Sequence, residues 1–514
     1  MTDTSVPAQR PARRPAAAAA SKLAGRALTR SANTSLAEQL AQRYAEHIRQ
    51  RLLAPGARLP SVRECALRHA VSPYTVVAAY DQLQALGLIE ARRQRGFFVR
   101  ARATSGPATR GTPRSGGDAA PRPLPNSATA LIRAMFQAPG AQPMPGLGTL
   151  PADWLDAPML AAAMRRATTT RQVAATALQY GDPAGEPRLR RALALKLADH
   201  GIAAAPEQIV TTIGATHALD IVTRTLLRSG DSVLVDEPGW SVEYARLAAL
   251  GMRVLPVPRG DSGPDVAAMR RLIEAQKPAG RPRLYVTVSV LHNPTGASLS
   301  LQSAHRVLQL AAEFDLHIVE DDTYAHLAPA HAPRLAALDA LERTIYISGF
   351  SKILTPNWRV GFLAAPPALV DRLVDTKLLS ALTTPGAGEL AMAHCLEQGW
   401  LRRHAERVVE RLAAARSRTV RLAEAHGCRF AAEPNGLFGW VDTGVDTERL
   451  AHALIDEWLI APGALFHAEP RPTTLMRINF ATSQDARFWK ALAAARSAAL
   501  KGARPFAAAD DAAQ

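Results

Sequence analysis

The stretch Ser348-Gly349-Phe350-Ser351-Lys352-Ile353-Leu354-Thr355-Pro356-Asn357-Trp358-Arg359-Val360-Gly361-Phe362 decides how the chain is read. It follows the apolar run Thr344 to Ile347, turns on small residues and offers one lysine. An arginine comes seven positions later, and then the chain is apolar again. A lysine just past a buried strand is desolvated, which lowers its pKa and makes the neutral amine a nucleophile. Such an amine can hold an aldehyde cofactor as a Schiff base. An arginine on the same loop can grip a phosphate through its fork of N–H donors. Taken alone, the stretch also fits a surface loop with two ordinary cations; what stands around it settles the matter.

Outward from it, β-prone runs alternate with helical patterns. The runs are Ile209–Ile213, Ser232–Val235, Val254–Val257, Leu284–Val288, His317–Glu320 and Thr344–Ile347, with helices such as Ala304–Phe314 between them. This alternation predicts an α/β domain with a mostly parallel sheet covered on both faces. Ligands in such sheets sit at the carboxyl ends of the strands. After the first run, Gly214-Ala215-Thr216 opens a helix whose N–H groups suit a phosphate. Glu237-Pro238-Gly239-Trp240 places an aromatic where it can stack on a flat heterocycle. His292-Asn293-Pro294-Thr295-Gly296 is a rigid turn whose Asn293 can donate to a phenolic oxygen, and Tyr324 can reach the same atom. Asp321 can pair with a pyridinium nitrogen and keep it protonated. One molecule accounts for the ordered set: pyridoxal 5′-phosphate (PLP).

The set resembles the fold-type I aminotransferases over roughly residues 143–500. The resemblance implies that Lys352 carries the cofactor, Asp321 faces the ring nitrogen and Trp240 stacks on the ring. It implies that Asn293 and Tyr324 hold the ring oxygen, and that Ala215, Thr216, Ser351 and Arg359 hold the phosphate. Tyr180, in Tyr180-Gly181-Asp182-Pro183-x-Gly185, matches a tyrosine that reaches the phosphate of a neighbouring subunit, which implies a homodimer. Arg477, in Met476-Arg477-Ile478-Asn479-Phe480, matches the arginine that clamps an amino acid's carboxylate. One position departs from the pattern: Gly349 stands where Ser or Thr is usual, so one phosphate contact is lost unless Ser348 supplies it.

The first quarter of the chain reads differently. The 514 residues carry a formal charge of +16, and residues 1–125 hold 20 Lys+Arg against 7 Asp+Glu. A local basic excess of that size points to nucleic acid. Leu36, Leu40, Tyr44, Ile48 and Leu52 recur at helical spacing. Ser61 and Glu64 spell a capping box that opens a second helix, and Ser72-Pro73 opens a third that Gly87 stops. Leu88–Glu90 and Gly96–Val99 read as two short strands around a loop with Arg92, Arg93 and Arg95. Two short helices and a basic hairpin make a winged helix-turn-helix.

Leu59-Pro60-Ser61-x-Arg63-x-Cys65-Ala66, Val71-Ser72-x-x-Thr75-Val76, Leu86-Gly87-Leu88-Ile89 and Gly96-x-x-Val99 resemble the GntR-type winged helix of bacterial transcription factors. The resemblance implies that Arg63 and Thr75 touch DNA and that Gly96 sits at the wing tip. Arg58, Ser61, Ser72, Tyr74, Arg93 and Arg95 complete the expected DNA-contacting set. Pro73 stands where that family often has an arginine, and Tyr74 is a candidate replacement.

The expected order is a basic tail over 1–34, the winged helix over 35–101, a Gly/Pro/Ser-rich linker over 102–128, the aminotransferase-like domain over 129–505 and a tail over 506–514. Together these resemble the MocR family of PLP-dependent transcriptional regulators. The resemblance implies double-stranded promoter DNA as one partner and an amino acid, amine or PLP-related effector as another. A working aminotransferase with a DNA-binding appendage, and a cofactor-free dimerisation platform, are the alternatives. The three cysteines, Cys65, Cys395 and Cys428, form no C-x-x-C pair, and no metal site is expected; a reduced cytoplasmic compartment fits. No run is long and apolar enough to span a bilayer.

Overall fold

The computed structural model describes residues 28, 34–49, 53, 55–92, 95–100, 144–176 and 180–502. Leu52, Arg93, the expected linker and both expected tails (all but Leu28 and Thr34) lie outside the described residues. Two compact units divide the chain, the smaller including residues up to Ile48 and from Pro55 to Ala101, the larger including Met144 onward.

In the smaller unit, α1 (Leu36–Arg49) opens on a full capping box. The Glu38 amide donates to Ser35 Oγ at 3.1 Å, and the Ser35 amide to Glu38 Oε2 at 2.9 Å. At α2 (Val62–His69) the expected box is only half formed. The Glu64 amide donates to Ser61 Oγ at 3.3 Å, but the Glu64 carboxylate pairs with Arg68 one turn on, at 3.3 Å. α3 (Pro73–Ala85) starts on Ser72, whose hydroxyl accepts from the Thr75 amide at 3.1 Å, with Pro73 in the first turn where no N–H is needed. β1 (Ile89–Arg92) pairs antiparallel with β2 (Gly96–Val99) to form the wing. Leu40, Tyr44, Cys65, Val76, Tyr80, Leu83, Ile89 and Val99 form the buried interior.

The larger unit is built on an eight-stranded sheet. Its strands are β3 (Ile209–Thr212), β4 (Ser232–Glu237), β5 (Arg253–Gly260), β6 (Gly263–Pro264), β7 (Leu284–Thr287), β8 (His317–Asp321), β9 (Thr344–Gly349) and β10 (Gly361–Ala364). Their order is β3-β10-β9-β8-β7-β4-β5-β6. β5, β4, β7, β8 and β9 run parallel, and β10 is antiparallel to both β9 and β3, so β3 shares the common direction. Alternate side chains feed opposite faces, as the pleat requires. Val233, Val235, Val286, Val319 and Ile347 pack with the helix Ala215–Leu226, while Leu234, Tyr285 and Ile318 pack with the helices Val266–Glu274 and Leu301–Glu313. A second sheet, ordered β11-β12-β14-β13, holds β11 (Arg429–Phe430), β12 (Phe438–Asp442), β13 (Ala461–Pro462) and β14 (Leu475–Asn479). The parallel strands place the ends of β3, β4, β7, β8 and β9 along one edge, and that edge carries the expected site.

Candidate functional site

Lys352 lies three residues past β9. Its Nζ donates to the Gly148 carbonyl at 2.9 Å. Removal from water, helped by Arg477, lowers its pKa to about 8, against the pull of Asp321. Asp321 ends β8 and accepts from the Thr323 amide at 3.0 Å and from the Thr323 hydroxyl. Burial raises its pKa to about 6 despite those donors. Tyr324 is buried with its ring edge-on to Phe438 at 5.4 Å, and burial raises its phenol while Arg477 opposes the shift.

Arg477 projects from β14 into the same space. Its Nη1 donates to Asn293 Oδ1 at 2.8 Å and its Nη2 to the Gly146 carbonyl at 2.6 Å. The guanidinium sits over Phe438 at 4.5 Å and Phe466 at 5.0 Å. Burial lowers its pKa to about 10, and its Nε is buried with no partner. Five residues spread over 184 positions of sequence — Asn293, Asp321, Tyr324, Lys352 and Arg477 — are thereby electrically coupled.

The corner expected to hold a phosphate is tight. Gly214 has φ 79 and starts the helix Ala215–Leu226; a Cβ there would meet Arg359 Nη2 at 2.7 Å. Arg359, itself at φ 52, donates from Nη2 to the Ile213 carbonyl at 2.8 Å. A Cβ on Gly361 would meet the Gly214 carbonyl carbon at 2.6 Å, so two glycines let β10 approach this turn. Thr216 is exposed and Ser351 half-buried; both, with Arg359, lie at the turns, and Thr216 and Arg359 line an open groove of about 1070 Å³.

The Gly349 position resolves one expectation. Ser348 does not face this corner: its hydroxyl is buried and donates to the Asp322 carbonyl at 2.8 Å. A Cβ on Gly349 would have its nearest neighbours at 3.5 Å, so a side chain fits there and its hydroxyl is simply absent. Trp240 is half-buried at the start of the helix Ser241–Ala249, and Tyr180 is 81% exposed.

Sequence reasoning missed the buried polar frame beneath the site. Asp236 accepts from Arg259 Nη1 at 2.8 Å and from the Thr287 and Tyr285 hydroxyls. Asp322 accepts from Arg334 Nε at 2.6 Å and from the Tyr346 hydroxyl at 3.0 Å. The first set ties the end of β4 to β5 and β7, and the second ties the turn after β8 to Arg334 and β9. Asn479, two residues beyond Arg477, adds to this frame: its Nδ2 donates to the Leu147 and Thr149 carbonyls, both at 2.8 Å.

On the smaller unit, Ser61, Arg63, Ser72, Tyr74, Arg95 and Gly96 are exposed and Thr75 half-buried. The Thr75 and Ser72 hydroxyls are bonded to each other at 2.8 Å. Arg58 runs beside the wing, its Nε 3.4 Å from where a Gly96 Cβ would stand. Arg92, on β1, pairs with Glu90 at 2.8 Å and lies over Phe98.

The model of aminotransferase class I and II matches residues 148–494, and that of bacterial regulatory proteins of the gntR family matches residues 36–99. The chain belongs to the aminotransferase class I and II family. Joined to its gntR-family winged helix, it is of the MocR type. It is 30% identical to the HTH-type transcriptional regulator TauR of Rhodobacter capsulatus, over 80% of this chain and 85% of that one. It is 27% identical to an uncharacterized HTH-type transcriptional regulator, YisV, of Bacillus subtilis, over 84% and 90%. The structure of an α-aminoadipate aminotransferase from Thermus thermophilus, complexed with N-(5′-phosphopyridoxyl)-L-leucine, superposes with a TM-score of 0.65 at 26% identity, over 72% of this chain and 95% of that one.

The cofactor of this aminotransferase family member is PLP, and the residues present fit it. The glycine-lined turn at Gly214 gives a phosphate close backbone approach, and the buried Asp321 carboxylate offers a partner to a ring cation.

Proposed function

We propose that this protein is a PLP-dependent transcriptional regulator that binds double-stranded DNA as a homodimer in the cytoplasm and senses an amino acid, amine or PLP-related effector. The observation that carries the reading is the Lys352 amine, poised by burial between Arg477 and Asp321, in a chain that also carries a winged helix. When bound, PLP supplies an electron-poor aldehyde that condenses with primary amines.

Lys352 is the residue that links to it. The Asp321 carboxylate would accept from the protonated ring nitrogen, which offsets the cost of ionising a buried carboxylate. Trp240 covers the ring, and Asn293 and Tyr324 hold its oxygen. Ala215, Thr216, Ser351 and Arg359 hold the phosphate, with Tyr180 offered to the other subunit; its exposure in a single chain supports that assignment. Arg477 grips the effector's carboxylate in a site whose low dielectric strengthens the pair. Arg58, Ser61, Arg63, Ser72, Tyr74, Thr75, Arg93, Arg95 and Gly96 face DNA, with cations positioning the unit on phosphates. Among the described residues no helix is long and apolar enough to cross a membrane.

The effector must prefer one domain arrangement, since equal affinity for two would shift nothing. An absorbance spectrum of the purified protein, taken before and after each amino acid, tests cofactor and effector together. A visible band that one amino acid alters, without steady-state conversion of a 2-oxo acid, is the expected result. Sustained turnover would favour an enzyme instead.

A further inference from the structure

After the winged helix the described residues resume with the strap Met144–Leu150, which runs against Lys352 and Arg477. Two of its carbonyls are held by the groups that ligands claim, Gly148 O by Lys352 Nζ at 2.9 Å and Gly146 O by Arg477 Nη2 at 2.6 Å, while Pro145 O accepts from the Asn479 backbone amide at 2.8 Å and Met144 O from the Thr482 hydroxyl at 3.3 Å. Asn479 is fully buried and stands two residues beyond Arg477 on β14, hence on the same face. Its amide bonds Leu147 O and Thr149 O, so it brackets Gly148 from both sides. The strap's own amides hold less: Gly146 N donates to Leu459 O at 3.1 Å and Leu147 N to Met144 O at 3.1 Å. Residue 144 follows directly on the segment that leads, in sequence, from the winged helix.

We propose that Asn479 is a positioning residue that pins the strap Met144–Leu150 across the site, and that the strap reports site occupancy to the linker. The proposal rests on the reading above for what occupies the site. Linking Lys352 to a cofactor takes donor capacity from Gly148 O. A carboxylate on Arg477 neutralises the guanidinium and shares or displaces its Nη2 bond to Gly146 O. Each event weakens one of two charge-assisted bonds, and both loosen a strap that begins 16 positions after the expected linker in sequence. Gly148 adds a second point of contact: a Cβ there would stand 3.3 Å from Phe438 and 3.7 Å from Lys352 Nζ, so the strap's backbone lies directly against both.

The test is hydrogen exchange at the Gly146 and Leu147 amides of the full-length protein. The probes are N-(5′-phosphopyridoxyl)-L-alanine, which carries a carboxylate, and pyridoxamine 5′-phosphate, which does not. Absorbance confirms that each is bound. Exchange about tenfold faster with the first probe than with the second is expected, from loss of a hydrogen bond to a charged group. Lys352→Ala without ligand raises exchange in the strap as well. Asn479→Asp keeps the oxygen that accepts from the Ala481 amide but removes both donors to the strap. It exchanges fast without ligand, still binds the conjugate, and no longer changes its DNA affinity when the conjugate is added. Equal or slower strap exchange with the conjugate overturns the proposal, as does an Asn479→Asp protein that keeps its full DNA response. Should Asn479→Asp fail to fold, the wild-type probe comparison still decides. Failure of both probes to bind sinks the underlying reading, and the proposal with it.

Discussion

At the scale of one residue, the proposed chemistry rests on Lys352. With a pKa of about 8, roughly a quarter of its amines are neutral at pH 7.5, against about one in a thousand at the ordinary lysine value. The protonated amine cannot attack, so PLP association speeds up with rising pH and levels off above the pKa. Stopped-flow absorbance across pH 6–10 should place the midpoint near 8; a rate still climbing steeply toward 10 contradicts the placement of the amine. Gly349 makes the complementary case. Because Ser348 is committed to Asp322 and a Cβ fits at 349, Gly349→Ser should supply a missing phosphate hydroxyl. PLP dissociation constants from absorbance titration should fall about tenfold, the worth of one bond to a charged group. Unchanged affinity would mean that the new hydroxyl does not reach the anion.

Much of the candidate site is legible from sequence because strand ends, small-residue turns and single polar residues coincide. Lys352, Asp321, Asn293 and Tyr324 each end or follow a β-prone run, and the runs are parallel strands buried through their middles, whose composition shows without periodicity. The strap and its Asn479 pins were not legible, because backbone carbonyls leave no mark in a sequence. Nor was the Asp236–Arg259 pair: two charges 23 positions apart read as solvated surface until the fold buries them.

At the scale of elements, β10 is the least legible strand. The run Val360–Ala365 reads as one more apolar segment, and only pairing shows it antiparallel between β9 and β3. Two-residue β11 and β13 are too short to show any period. The antiparallel insertion matters for function, since it presses Gly361 onto the Gly214 turn. Gly361→Ala forces backbone apart where a Cβ would approach to 2.6 Å. It should cost about 1–3 kcal/mol in denaturant unfolding, as overpacking does, and weaken PLP binding with it. Full stability and affinity in that variant would show that the corner is not close-packed. α2 carries the opposite lesson: its serine cap was read correctly, but Glu64 prefers Arg68, a choice of partner that spacing alone leaves open.

For the whole molecule, charge separates the two jobs. The basic excess belongs to the first quarter, while the family's cofactor site lies in the nearly neutral remainder. Arg63→Ala and Arg95→Ala should each lower the slope of log affinity against log salt by about one, with the cofactor's absorbance unchanged. An unchanged slope would place those arginines off the DNA. The account joins the halves through one amine, so the most direct measurement follows both in a single sample. Visible absorbance and the fluorescence anisotropy of a DNA fragment selected by the protein are recorded as PLP and then an amino acid are added, for wild type and Lys352→Ala. In the wild type the band and the DNA affinity should change together, and in Lys352→Ala both responses should vanish. A Lys352→Ala protein whose DNA affinity still answers to the amino acid would contradict the account.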